Sequence, residues 1–531
     1  MSNISGELIA QYNKRNLEMV TYSSFLVIAL YVLTTLFISY LVNRRYSVGG
    51  DFSTGGKQFG WFTAGVSILA TYISAMTFVG MPGWVYSSGM EAMSVHLNYP
   101  VVIFFTVIFF VPVFYKLGLT SIYEYLEHRF GVVARTINSI VFIVVQCISA
   151  GVILYAVALI LVQVLPVSIS EAIIYISLFT ALYTYAGGIS TVIWTDMLQS
   201  AVLIIGSIAI FVLLLMKIDA GEVLSPEHLN IINLDFDLGV DTTLWAGVVA
   251  VSFLHLSVYG TNQLIIQRTL ATKCVKTAQK SMLLCGYGAF FVYLFFAVMG
   301  VLLSVFYQDS SFENSNEVIL DFVFNHTNPI IVGLVISALS AAAMSTLDST
   351  YNSMATVATF DFYKRFFRKK ASDAHYESVA RKMSLVAAAS VVVPALLAVS
   401  NESVLKTIAS LTSIFVGIRL GSFILGLFFK QANEKGVIAG SIGSVAVVFI
   451  AKYSGIAWPW FALIGTVVFL VLGVVVSRFW GEVTEQQNEF IAKQKHFFAK
   501  PTASHYGLLV FAVVTIAACT VIPDWLYAAL S

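Results

Sequence analysis

The residues best suited to chemistry lie inside a stretch otherwise apolar enough to cross a bilayer: Ile331 to Phe362, IVGLVISALSAAAMSTLDSTYNSMATVATFDF. Ser345, Thr346, Asp348, Ser349, Thr350 and Asn352 fall in its middle. An aspartate at that depth costs about 2.5–3.5 kcal/mol even on insertion scales, so it requires a compensating partner. At helical spacing 345, 348 and 349 share a face, and three hydroxyls (345, 346, 349) stand within a turn of the carboxylate. Neutral hydroxyls and one carboxylate on a dry face suit a small hard cation such as Na⁺, or a proton. Ser340 to Ala343 read instead as a packing seam whose small residues let helices approach closely. A second intramembrane carboxylate, Asp196 in YTYAGGISTVIWTDMLQ (183–199), could share that cation if the two helices meet. Otherwise it is a packing aspartate bonded to Ser or Thr.

Other candidates are thinner. His96 and His255 fall near an expected cavity; each is either a satisfied packing residue or a substrate contact, and nothing gives them a haem or metal register. Arg419, in SIFVGIRLGSFILGLFF, snorkels to the inner surface, lines an exit path, or pairs with an inner carboxylate. Tyr72, Tyr259 and Tyr287 could line a cavity. Asp361, before the run Tyr363–Lys370, reads as a cytoplasmic helix end. There is no P-loop, nucleophile elbow, HExxH or CxxC, and the cytoplasmic loops are short, so the chain does not read as an enzyme.

These side chains need a membrane scaffold to hold them. The 531 residues are 58% hydrophobic and 11% charged, with mean hydropathy +0.86. Soluble domains carry about 25% charge, so this is an all-α polytopic membrane protein. A net charge of +1 without a basic tract gives no support for nucleic-acid binding. Cys147, Cys274, Cys285 and Cys519 show no metal spacing and imply no disulfide framework. The polar N-terminus lacks a cleavable signal peptide, so the first span is expected to act as the insertion signal.

About fourteen spans are expected, near 20–43, 59–85, 92–115, 136–164, 169–186, 189–216, 244–261, 281–307, 329–362, 380–400, 403–429, 436–454, 457–479 and 506–530. With the N-terminus outside, the inner loops hold 23 of the 29 lysines and arginines, and an even count returns the C-terminus outside. Stretches 119–135 and 262–280 read as amphipathic cytoplasmic helices anchored by their positive charges; 481–500 reads as a polar helical or mobile segment.

Two spans are interrupted in matching ways. WFTAGVSILATYISAMTFVGMPGWVY carries Thr71, Ser74, Thr77, Gly80, Pro82 and Gly83; SFLHLSVYGTNQ carries His255, Ser257, Gly260 and Asn262. Taken as helices 1 and 6 of a core, they open two halves of five helices each. An odd number per half inverts one half against the other, the inverted-repeat arrangement of secondary transporters. The expected divisions are 1–50 (N-terminal segment and extra helix), 51–216 and 217–430 (the two repeats) and 431–531 (C-terminal extra helices).

At these residues the chain resembles the sodium/solute symporter family of sodium–glucose, sialic-acid, monocarboxylate, multivitamin and iodide symporters. The resemblance covers roughly 50 to 430 and rests on ILATYISAMTFVGMP (68–82), YKLGLTSIYEYLEHRF (115–130), YTYAGGISTVIWTDMLQ, NQLIIQRTLATK (262–273) and AAAMSTLDSTYNS (341–353). It implies a LeuT-like five-plus-five core and Na⁺-driven alternating access in the cell (inner) membrane, with a monomer sufficient for transport. By position it implies a sodium site of carbonyls from Ala70, Ile73 and Ala342 and hydroxyls of Ser345 and Thr346. A second site, for sodium or a proton, would use Asp196, Ser345, Asp348 and Ser349; here Asp348 replaces a serine of the sialic-acid branch. The implied substrate pocket takes in Ser74, Thr77, His96, Ser149, His255 and Tyr259. Ser149 stands where that branch has a carboxylate-binding arginine, and Ala289 and Ala409 replace polar sugar ligands of a galactose transporter. Neither ligand set is present intact, but LGLTSIYEYLEHRF and GVILYAVALIL resemble the anion and monocarboxylate branch more closely, and two histidines with Ser and Thr hydroxyls could hold an anionic or hydroxylated molecule, so the resemblance leans to a small organic anion or acidic sugar as substrate. A neutral sugar or coupling to protons is the alternative.

Overall fold

The computed structural model describes residues 22–46, 52–218, 226–308, 312–400 and 413–530. Among them the only extended pairing is one parallel bridge, Phe59 to Thr272; everything else regular is helical. In chain order the helices used below are α1 (Tyr22–Tyr46), α2 (Trp61–Tyr72), α3 (Ala75–Ser88), α4 (Met90–Leu117), α5 (Glu124–Arg129), α6 (Val132–Leu161) and α7 (Ile169–Lys217). They continue with α8 (Trp245–Thr261), α9 (Gln263–Leu270), α10 (Val275–Phe306), α11 (Val318–His326), α12 (Pro329–Phe367), α13 (Asp373–Ser400) and α14 (Val416–Phe428). The last are α15 (Glu434–Tyr453), α16 (Pro459–Phe479), α17 (Glu485–Gln494) and α18 (Ala503–Leu530).

The two expected breaks are present. The α2–α3 pair bends by 59° and α8–α9 by 44°. At the first, Ile73 and Ser74 are extended (ψ 97° and 176°), so the last carbonyls of α2 lack their intrahelical donors. At the second, Asn262 is extended and its side chain accepts from the Leu264 N–H. Such backbone is tolerated at membrane depth only where protein or a polar cavity surrounds it.

At 49 residues α7 would be about 73 Å long, far beyond one crossing. Gly188, at φ 57° and ψ −150°, divides it, close to the boundary expected between 186 and 189. A Cβ there would lie 2.7 Å from the Phe52 carbonyl. Gly188→Ala combines a φ disfavoured for L-residues with that clash and should destabilise by about 1–3 kcal/mol. Thermal unfolding of the purified protein checks this; an unchanged midpoint would contradict it. The expected 403–429 span is described only in part, as α14; its residues 403–412 lie outside the described residues.

The polar helix lies at the centre. From Ala341 to Val357 every residue of α12 is buried, packed among α1, α6, α7 and α13. Three expectations towards its C-terminal end are corrected. All eight residues of α9 are buried, so 263–270 is the second half of the broken helix and not a surface amphipath. Its polar side chains point into protein: Gln267 Nε2 donates to Asn352 Oδ1 and the Ser53 carbonyl, both at 2.8 Å. In the 119–135 stretch, buried Arg129 donates to the carbonyls of Gly426, Phe429, Lys430 and Ala432. It thereby fills the orphan carbonyls at the end of α14 instead of anchoring to the bilayer. Asp361 is likewise buried. It accepts from Ser121 at 2.7 Å, Ser139 at 2.9 Å and Arg135, tying α12 to α6.

Candidate functional site

Where α2 ends, its open carbonyls face the hydroxyls of α12. Ser345 Oγ lies 2.9 Å from both the Ala70 and Ala342 carbonyls. Thr346 Oγ1 lies 3.2 Å from the Thr71 carbonyl and 3.4 Å from that of Ala342. Four of the five expected oxygens therefore converge. Ile73 lines the same cavity, of about 340 Å³, with Ala70, Ala342 and Ser345. Thr71 was not foreseen, yet its carbonyl is the one on α2 that Thr346 reaches; it lies beyond Leu69, whose carbonyl still accepts from the Ile73 N–H. Each hydroxyl has one hydrogen shared between two carbonyls, so oxygen lone pairs outnumber protons, which favours a hard cation.

The two carboxylates are also close, but not alone. Asp196 and Asp348 are each fully buried, and the guanidinium of Arg268 on α9 lies against the first. Its Nη2 is 3.2 Å from Asp196 Oδ2, its Nε donates to Ser67 Oγ at 2.8 Å and its Nη1 to the Leu264 carbonyl at 2.7 Å. Ser67 also donates to Asp196, and Arg268 to Ser349 Oγ. Asp348 meets only neutral donors: Tyr183 at 2.9 Å, Thr195 at 3.4 Å and Ser349 at 3.1 Å. Asp196 Oδ1 has no partner among the described residues. The cluster thus holds two carboxylates and one guanidinium, a deficit of one positive charge. Arg268 escaped sequence reasoning because its stretch reads as a cytoplasmic loop. The signal was bookkeeping: two intramembrane acids demand a base, and Arg268 follows directly on a broken helix.

The substrate candidates separate into a cluster and outliers. His96 and Tyr293 rings stack at 3.6 Å, and His255 and Tyr99 at 4.5 Å. His96 Nδ1 pairs with the Tyr99 hydroxyl at 3.0 Å and His255 Nδ1 with Asn98 Oδ1 at 2.6 Å. Thr77 Oγ1 is 3.3 Å from the Tyr293 hydroxyl, and Tyr72 closes the group against His255 and Tyr259. Ser74 marks the break beside it. Tyr99, Tyr293 and Asn98 were not anticipated, since nothing in an aromatic-rich chain distinguishes them. Ser149 is half-buried on α6 and makes none of these contacts. Tyr287 packs outward on Phe511 at 5.0 Å. Arg419 does not snorkel: it is 5% exposed and bonds Ser257 Oγ at 3.0 Å. Ala409 lies outside the described residues.

This geometry agrees with what known proteins resemble it. The family model described as "Sodium:solute symporter family" matches residues 52–444. The sodium/sialic acid symporter NanT of Aliivibrio fischeri is 29% identical over 452 residues, 82% of this chain and 89% of NanT. The human sodium/iodide cotransporter is 31% identical over 424 residues, covering 77% of this chain and 66% of its own. The solved substrate-bound outward-open state of a Na⁺-coupled sialic acid symporter superposes with a TM-score of 0.79 at 26% identity, over 87% of this chain and 99% of that one. Mhp1, a nucleobase-cation-symport-1 family transporter, shares the fold at a TM-score of 0.53 and 13% identity, over 84% of this chain and 99% of that one. With a family model spanning most of its length, the chain belongs to the sodium:solute symporter family, whose members are multi-pass membrane transporters and not enzymes.

Proposed function

We propose that this protein imports a small organic anion, of the acidic-sugar or monocarboxylate kind, by Na⁺-coupled alternating access. The observation that carries the reading is the approach of Ser345 and Thr346 on α12 to the open carbonyls at the end of α2. A Na⁺ held by Ala70, Ile73, Ala342, Ser345 and Thr346 would have about five oxygens and would tie the broken helix to the polar one. Binding then stabilises one arrangement of the two helices, and substrate in the Thr77–His96–His255–Tyr259 cluster selects the same arrangement. This linkage couples the two solutes thermodynamically. Once the cage opens toward the other side, Na⁺ leaves down its gradient.

The missing positive charge beside Asp196, Ser345, Asp348 and Ser349 is where a second Na⁺ or a proton would act. The repeats run 51–216 and 217–430, flanked by 1–50 and 431–531, with both termini outside and a single copy sufficient for transport. Supporting this are the two bent pairs, each opening a half, and the concentration of basic residues on one side. Purified protein in liposomes should accumulate N-acetylneuraminate or pyruvate under an inward Na⁺ gradient and not under K⁺. Accumulation driven equally by a pH gradient without Na⁺ would replace Na⁺ coupling by proton coupling, and accumulation of galactose instead would replace the anion by a neutral sugar.

A further inference from the structure

Four arginines are buried in this protein: Arg129, Arg135, Arg268 and Arg419. Three have their donors filled. Arg129 meets four carbonyls, Arg135 meets Asp361, Glu124 and Glu127, and Arg268 meets Asp196 and its neighbours. Arg419 on α14 is different. Among the described residues it makes one hydrogen bond, Nε to Ser257 Oγ, and no ion pair, and its two Nη groups donate to no acceptor. A guanidinium carries five donor hydrogens and no acceptor, and an unpaired charge inside a membrane protein is unfavourable enough to mark a functional position.

A second group nearby is equally unfilled. Tyr123 is fully buried between Phe142 and Phe423, the latter one helical turn along α14 from Arg419, and its hydroxyl donates to no acceptor among the described residues. Both groups can donate, so what they lack is an acceptor, and next to a guanidinium that acceptor is an anion. Nor do they belong to the histidine cluster. His255 reaches Asn98 on α4, while Ser257, two residues on, faces α14. Arg419 stands in the first turn of α14, held to Ser257 five residues before the break at Asn262.

We propose that Arg419 and Tyr123 form a second anion-binding station, separate from the histidine–tyrosine cluster, which takes the carboxylate of the transported solute on its way through the protein. This rests on the organic-anion reading above. The planar guanidinium can hold a carboxylate through two parallel hydrogen bonds, which a lysine ammonium cannot reproduce. Without the ligand the charge is a liability to the fold, since buried ions are often replaced by neutral side chains at no loss of stability.

The experiment compares wild type, Arg419→Gln, Arg419→Lys and Tyr123→Phe in liposomes under an inward Na⁺ gradient, with pyruvate, N-acetylneuraminate and galactose as probes. The expected result is at least a tenfold rise in KM for the accepted anion in Arg419→Gln. Arg419→Lys and Tyr123→Phe should show smaller rises, with Na⁺ activation unchanged throughout and thermal stability of Arg419→Gln equal to or above wild type. An unchanged KM for the anion in Arg419→Gln overturns the proposal and leaves the organic-anion reading standing. Loss of thermal stability in Arg419→Gln with normal KM in Arg419→Lys and Tyr123→Phe makes the arginine structural and also overturns it. Wild-type uptake of galactose and neither anion overturns the reading, and this proposal with it.

Discussion

Replacing Ser345 by alanine should remove most Na⁺-driven uptake while leaving the fold intact. Its hydroxyl touches the carbonyls of Ala70 and Ala342, the two backbone oxygens at the meeting of α2 and α12. Losing it takes one ligand from a cage of about five. Partners that merely hold a ligand in place are worth about 10–100-fold in metal affinity, and losing a ligand should cost no less. The half-saturating Na⁺ concentration should therefore rise by at least about tenfold. The structural cost is small: serine to alanine leaves no large void, and of the two carbonyls it serves, that of Ala342 retains the neighbouring Thr346 hydroxyl. Thr346→Ala should behave similarly but more mildly, given its longer contacts of 3.2 and 3.4 Å. Uptake initial rates against Na⁺ concentration check both; an unchanged Na⁺ dependence in Ser345→Ala would contradict the assignment.

The second large effect is at Arg268. Arg268→Ala leaves Asp196 buried beside Asp348 with its only cation gone. Breaking one side of a buried pair costs about 3–5 kcal/mol, most of it the penalty of the stranded charge. The single variant should express poorly or melt well below wild type. Arg268→Gln combined with Asp196→Asn removes both charges and retains amides able to serve Ser67 and Ser349, so it should recover much of the lost stability. A double-mutant cycle of Arg268→Gln, Asp196→Asn and the two combined, followed by thermal unfolding, isolates the coupling. Additive losses across the cycle would mean that the pair contributes no specific interaction.

How legible this was in the sequence depended on which side of an interaction was read. The α12 hydroxyls announced themselves because polar residues in the middle of a bilayer-length apolar run are costly and hence conspicuous. The breaks announced themselves through Ser74, Pro82 and Asn262, residues that interrupt a span. What was illegible was the destination of the basic side chains. Arg129 and Arg268 lie in segments whose composition reads as membrane edge, and Arg419 lies in a span from which it could snorkel. Long side chains are free in sequence to snorkel, but in the structure each is buried, on carbonyls, a carboxylate and a hydroxyl respectively. The same blindness applied to Asp361, read as a helix end and found at the hub of a network with Ser121, Ser139 and Arg135. Tertiary partners, not local pattern, decide where a charge goes. The Tyr99–Tyr293 part of the histidine cluster failed for another reason. It is assembled from α4 and α10, far apart in the chain, and no local periodicity distinguishes its aromatic residues from those that face lipid.

The most direct test of the Na⁺ cage needs no substrate. Thermal unfolding of the purified protein is followed in NaCl and in KCl at equal ionic strength, for wild type and Ser345→Ala. A cation bound only by the folded state stabilises by about 1.4 kcal/mol at ten times its Kd. Wild type should therefore melt higher in Na⁺ than in K⁺, and the difference should vanish or move to much higher Na⁺ in Ser345→Ala. Equal melting of wild type in the two salts, or a Na⁺ shift undiminished in Ser345→Ala, would contradict the sodium site at the meeting of α2 and α12.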